Sequence, residues 1–179
     1  MQYYRHKVKT DEEKAIAKKK KTIVLQDGSE FVCDSEKEAR YYREVLQRML
    51  DEKVLEKVDV HPKYMLLEEF DKAGIHHKRE IIELDYGLQF YDEDGPYILI
   101  DVKDTYDVNK MDQVSLLKRK WFDSKFETVL RWVVYCKKFG GWISWEEYWE
   151  RKKAEKKERR KLERAAEKKE KSMSCTFDE

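Results

Sequence analysis

The residues best suited to chemistry lie in two stretches, Glu83-Leu-Asp85-Tyr-Gly and Ile98-Leu-Ile-Asp101-Val-Lys103. Two carboxylates and a lysine, flanked by strand-forming residues, suit a site that handles phosphate through a divalent cation. Magnesium takes hard oxygen ligands, commonly one or two carboxylates plus substrate phosphate oxygens. A lysine two residues along a strand points the same way as its carboxylate. There it can orient a water or stabilise developing negative charge. Two carboxylates facing one another repel, and a bound cation reverses that sign.

These roles depend on register. If the connection between the strands is centred on Glu93, paired residue numbers sum to 186, so Asp85 faces Asp101 and Lys103 faces Glu83. A two-residue Asp94-Gly95 turn would give a sum of 189 and set Leu88 opposite Asp101. Ile98-Leu-Ile100 implies that Asp101 emerges from a buried core, where an unpaired carboxylate is costly. Glu83 reads as a supporting or solvent-facing residue rather than a ligand.

The elements that must position these groups are legible in outline. Thr22–Gln26, Asp27-Gly28 and Ser29–Cys33 read as a β-hairpin, since Asp-Gly between β-rich runs is a strong turn signal. Asp34–Glu38 precedes an amphipathic helix to Glu52, with Tyr42, Val45, Leu46, Met49 and Leu50 at helical spacing. Residues 54–70, with Pro62 inside, read as an irregular strand near an edge. Residues 71–77 read as a loop or hairpin tip. Strands are expected over 78–91 and 96–103, a helix over 109–122, and over 126–135 a strand, with a helix as the alternative. Gly140-Gly141 breaks the chain, and Ser144-x-x-Glu147 is a capping-box signature for a last helix. The fold class expected is α+β with charged helical ends: a basic segment 1–21, a core 22–143, a charged helix 144–171 and a tail 172–179.

The chemistry-bearing residues resemble the D…(D/E)xK signature of the PD-(D/E)xK nuclease superfamily: Asp85, then Asp101-Val-Lys103 sixteen residues on. Upstream, Ser35-Glu-Lys-Glu38-Ala39-Arg-Tyr41-Tyr42 looks like the helix that supplies the first acidic residue in small phage-encoded endonucleases, relatives of Holliday-junction resolvases. Downstream, Leu117-Lys118-Arg-Lys120-Trp-Phe122 looks like their basic helix. The resemblance covers about 22–136 and implies an αβββαβ, restriction-endonuclease-like core. It also implies metal ligation by Glu38, Asp85 and Asp101, a catalytic Lys103, and Mg2+ with Mn2+ substituting. The implied activity is a metal-dependent DNA endonuclease selective for branched structures, acting as a homodimer in the cytoplasm of a bacterial host. Two positions depart from the pattern. Leu84 replaces the proline, and Asp104 follows the lysine where many relatives have glycine. A fourth carboxylate there would repel phosphate and suit an alternative, a nuclease-like protein that binds DNA or a protein partner without cleaving.

Composition narrows the classes. With 39 basic and 38 acidic residues the net charge is +1, but the charge is segregated. Residues 1–21 hold eight basic against three acidic residues, and 145–171 hold twelve against eight. Such ends attract polyanions, so Lys18, Lys19, Lys20, Lys21, Lys152, Lys153, Lys156, Arg159 and Arg160 are expected DNA contacts, and the resemblance adds Lys118, Arg119 and Lys120 of the basic helix. Aromatics at 13% permit a packed core. No apolar run of about 18 residues exists, so no membrane span is expected. Nucleotide-binding glycine motifs are absent, and no nucleotide cofactor is expected. Cys33, Cys136 and Cys175 form no CxxC pair, and Met1–Thr10 lacks the apolar core of a signal peptide, which together suggest a reducing cytosol. His76-His77 lacks a third ligand at suitable spacing. His61 before Pro62 reads as structural, and Trp142, Trp145, Tyr148 and Trp149 read as docking the last helix.

Overall fold

The computed structural model describes residues 21–92 and 95–174 together with Ile16 and Lys19, with side chains as far as Ala166. It is an α+β fold built on a mixed five-stranded sheet. The hairpin β1 (Thr22–Val24) and β2 (Glu30–Val32) turns at Asp27-Gly28, where Gly28 has φ +82°. A helical rod follows: α1 (Glu36–Tyr41), a π-helical stretch (Tyr42–Leu46) and α2 (Gln47–Asp51). Its buried side chains, Ala39, Tyr42 and Leu46, pack on Leu55, Val58, Tyr86, Ile98 and Ile100 of the sheet.

The central sheet has the order β11-β10-β9-β8-β3. Its strands are β3 (Leu55–Val60), β8 (Tyr86–Phe90), β9 (Ile98–Val102), β10 (Val129–Cys136) and β11 (Gly141–Ser144). β3, β8 and β9 are antiparallel neighbours, and β10 runs parallel to β9. The helix α3 (Gln113–Lys125) makes the crossover that a parallel pair requires. Helix, three strands, helix and strand therefore follow one another in the core. The edge strands are β3 and β11, and Pro62 lies just beyond the end of β3. β11 is a short antiparallel addition that begins at the Gly140-Gly141 break.

The expected long strand over 54–70 is two strands, β3 and β4 (Lys63–Leu67), separated at His61-Pro62. The expected strand over 78–91 is likewise two, β7 (Glu80–Glu83) and β8, separated at Leu84-Asp85. Both breaks are one feature. Val60 pairs with Tyr86 and Lys63 with Glu83, so the two chains keep a single register across the corner. His61 N–H donates to Asp85 O and Leu84 N–H to Pro62 O, both at 3.1 Å. Beyond the corner, β4 and β7 form a two-stranded arm, capped by the hairpin β5 (Phe70–Lys72) and β6 (Ile75–His77). The arm is held by α3: Leu66, Ile82 and Leu84 cluster with Phe122, and Lys118 and Lys125 donate to backbone carbonyls of Ile81 and Met65.

The last helix α4 (Trp145–Ser174) starts on Ser144, whose Oγ accepts from Glu147 N–H at 3.0 Å. Tyr148 is buried and stacks on Tyr106, and Trp145 meets Trp132 edge-on, so these two dock the helix as expected, whereas Trp142 lies in β11 and packs on Tyr41 of α1. Among the described residues no helix is long and apolar enough to cross a membrane.

Candidate functional site

The site forms where the β3–β4 and β7–β8 corner meets the start of α1 and the end of β9. Ser35 caps α1, and its Oγ accepts from Glu38 N–H at 3.0 Å. Glu38 Oε2 accepts in return from the N–H groups of Asp34 (2.9 Å) and Ser35 (3.3 Å). Glu38 is nonetheless only 1% exposed. Burying a carboxylate is expensive unless it is paired and hydrogen-bonded, so a cap alone does not account for its position. Its other oxygen, Oε1, lies 2.8 Å from His61 Nε2. Capping box and inward-facing carboxylate coexist in the same residue. Ser35→Ala removes the cap and one constraint on Glu38. The expected cost is about 1 kcal/mol of unfolding free energy, measured by urea denaturation.

His61 is the residue that sequence reasoning missed. Its backbone is left-handed, φ +52°, which a non-glycine residue rarely adopts. The corner imposes this conformation and turns the ring inward, edge-on to Phe31 at 4.9 Å. Nδ1 sits 3.1 Å from Glu83 Oε1, so the imidazole bridges two carboxylates. Partial burial disfavours its charged form. The hydrogen bond to Glu38 and the charges of Glu38, Asp34 and Glu83 outweigh that and raise its pKa. Glu83 also pairs with Lys63 at 3.1 Å instead of standing against Lys103, a supporting role.

Tyr86 pairs with Ile100 and Leu88 with Ile98, each pair summing to 186, so the register is the one centred on Glu93. Asp85 is the residue just before that ladder. Its Oδ2 accepts the Val102 N–H at 2.5 Å. Burial and the Asp101 charge raise its pKa to about 7, with Glu38 adding to the rise, while the Val102 bond and Lys103 oppose it. Asp101 Oδ2 pairs with Lys103 Nζ at 2.6 Å, and both side chains are largely shielded. Lys103 Nζ stands 5.4 Å from the ring centre of Trp132, and Arg119 lies 5.1 Å from the same ring.

Glu38, His61 and Asp85 each offer a ligand atom, all within 4.8 Å of one another, so these three could hold a metal ion. His61 thus stands with Glu38 and Asp85, two of the expected ligands, while Asp101, the third, is paired with Lys103. Two clefts open on either side of Lys103. One, of about 340 Å3, includes Glu38, Asp85 and Asp104; the other, of about 350 Å3, includes Glu83, Asp101 and Lys118. Asp104, the residue after Lys103, is 84% exposed and pairs with Lys37 at 2.8 Å.

The expected DNA contacts divide. Lys118 pairs with Glu80, and Arg119 with Asp123 at 2.8 Å and Glu146 at 3.5 Å, so both are engaged within the fold. Lys21 donates to Asp34 O. Lys152 and Arg159 pair with Glu155 and Glu163 at 3.9 and 3.4 Å. Lys19, Lys120, Lys153, Lys156 and Arg160 are exposed. Lys18 and Lys20 lie outside the described residues, as do most of 1–21 and the end of the expected tail. His76 pairs with Asp71 and His77 stacks on Phe70; the His/Cys/Asp/Glu cluster found among the described residues lies at the corner instead.

A family model described as "Protein of unknown function (DUF1064)" matches residues 13–141. The chain belongs to the DUF1064 family. The matched span holds Glu38, His61, Asp85, Asp101 and Lys103, and ends before the α4 helix begins. The DUF1064 description carries no activity with it. No curated protein and no solved structure matches the chain.

Proposed function

We propose that this DUF1064 protein is a metal-dependent endonuclease that hydrolyses DNA phosphodiester bonds, with a PD-(D/E)xK-type site. One observation carries the reading. Asp85 and Asp101 lie close enough for the Asp101 charge to raise the Asp85 pKa, beside a buried Glu38 and with Lys103 adjacent. Carboxylates perturbed by burial and by one another, gathered beside a cleft, are candidates for a functional site.

The residues present fit a divalent cation. Asp85 brings a carboxyl that is in no ion pair among the described residues, and Glu38 and His61 bring donors within 4.8 Å of it. Glu38, His61 and Asp85 would hold the ion. Mg2+ prefers oxygen donors, whereas one imidazole among carboxylates suits Mn2+ at least as well. When bound, such an ion supplies Lewis acidity toward a phosphodiester oxygen and lowers the pKa of a coordinated water. Lys103 stands between the two clefts and would supply positive charge where negative charge develops on the phosphoryl oxygens. Asp101 positions Lys103 through the 2.6 Å ion pair. Glu83 orients His61 through its second ring nitrogen, as outer partners of ligating histidines do.

The test is incubation of the purified protein with supercoiled plasmid, linear duplex, single-stranded and four-way-junction DNA, in Mg2+, Mn2+ or EDTA. Cleavage of at least one form with metal and none in EDTA is expected, and preference for the junction would mark structure selectivity. No cleavage of any form with either metal would contradict the proposal.

A further inference from the structure

The α4 helix carries a one-sided array of cations. Lys153, Lys156, Lys157, Arg160, Lys161 and Arg164 follow the spacing i, i+3, i+4, i+7, i+8, i+11, which places all six on one face. All six are exposed. None is in an ion pair among the described residues. The pairs on this helix use other side chains: Lys138–Glu155, Lys152–Glu155, Arg151–Glu147 and Arg159–Glu163. The glutamates of residues 153–164, Glu155, Glu158 and Glu163, fall outside that face. The docked side of the helix carries Tyr148, Lys152 and Glu155, the less exposed positions of these turns, so the basic face is turned away from the core.

We propose that this face is a docking surface for the phosphate backbone of DNA, separate from the clefts beside Lys103; the choice of DNA as the polyanion rests on the nuclease reading. The face spans about 17 Å at 1.5 Å per residue, long enough to meet several phosphates, which lie about 1.7 Å apart along a duplex axis when both strands are counted. Its chemistry disfavours the other anionic surfaces. A helix that lies in a membrane interface needs a large apolar face opposite its cations. Here the remainder of residues 153–166 offers Leu162 and three alanines among glutamates. A stable protein interface is anchored by aromatic or aliphatic side chains, and the six-cation face has none. The inference also revises the expected contact set: Lys157, Lys161 and Arg164 join it, and Lys152 and Arg159 leave it.

The experiment uses the full chain in EDTA, which separates binding from cleavage. Affinity for a fluorescein-labelled duplex is measured across a salt series. The protein is compared with a variant carrying Lys153, Lys156, Lys157, Arg160, Lys161 and Arg164 all as Gln, and with a control, Lys152→Gln with Arg159→Gln. Each phosphate contact contributes about 0.9 to the log–log salt slope. The six-fold variant should lose about 3 or more from that slope and at least about tenfold in affinity, while the control keeps its slope within about 1. Should circular dichroism show lost helix, the three-residue variant Lys156→Gln, Arg160→Gln, Lys161→Gln is read instead, with a slope loss of about 2. An unchanged slope in the substituted protein overturns the proposal, as does an equal loss in the control. Tighter binding to phosphatidylserine vesicles than to the duplex, lost on the same substitutions, also overturns it in favour of a lipid surface. Absence of cleavage with a face-dependent slope would fault the nuclease reading and leave this docking surface standing.

Discussion

Asp101→Asn and Lys103→Ala should each lower DNA cleavage by roughly 10²–10³-fold or more, the scale of removing one preorganised charge-stabilising group. Affinity for DNA should stay within about twofold, because phosphate contacts elsewhere supply binding. The two variants act through one ion pair, Lys103 Nζ to Asp101 Oδ2 at 2.6 Å, so their effects should be non-additive. Single-turnover cleavage and fluorescence anisotropy on the same preparations separate rate from affinity. Full activity in both variants would contradict the assignment of this pair to catalysis. Lost affinity equal to lost rate would make them binding residues only.

The second large effect concerns stability. The Asp85 carboxyl has its pKa raised from 3.8 to about 7 by burial and by the Asp101 charge. Between those values the folded chain binds more protons than the unfolded chain. The contribution of Asp85 to the stability of the metal-free protein is therefore lost as pH rises from about 4 to about 7, and the loss is complete above that range. Asp85→Asn removes the charge, and its amide oxygen can still accept the Val102 N–H. At pH 8 in EDTA the variant should be more stable than the wild type by roughly 2–4 kcal/mol in urea denaturation. At pH 4 the difference should vanish. A variant less stable than the wild type at pH 8 would mean that the Asp85 charge is already compensated within the fold, and that no cation is needed to relieve it.

Much of this site is written in local patterns. Asp27-Gly28 specifies its hairpin through turn chemistry, and Ser35 with Glu38 specifies both a cap and an acidic group at the start of α1. The register centred on Glu93 follows from strand periodicity and a polar connection, and the ladder Tyr86–Ile100, Gly87–Leu99, Leu88–Ile98 has it. His61 was illegible because its place depends on a corner shared by two chain segments far apart in sequence. A histidine before proline in an apolar run carries no local sign that its ring will meet Glu38. The break at Leu84-Asp85 was hidden for a related reason: Ile81, Ile82, Leu84 and Tyr86 read as one strand, and only pairing with a kinked partner divides them. β11 escaped notice because it has four residues and starts at a glycine pair. Strand alternation put Asp85 opposite Asp101 but could not show that backbone Val102 and Lys103 take one carboxylate each.

The claim at the centre of this account is that Glu38, His61 and Asp85 form a divalent-cation site. Calorimetric titration of Mn2+ into the metal-free protein at pH 7.5 tests it most directly, with Asp85→Asn and His61→Ala run alongside. The account predicts one ion bound per chain in the wild type and at least about tenfold weaker binding in each variant. Undetectable binding at millimolar Mn2+, or binding unchanged by both substitutions, would contradict it.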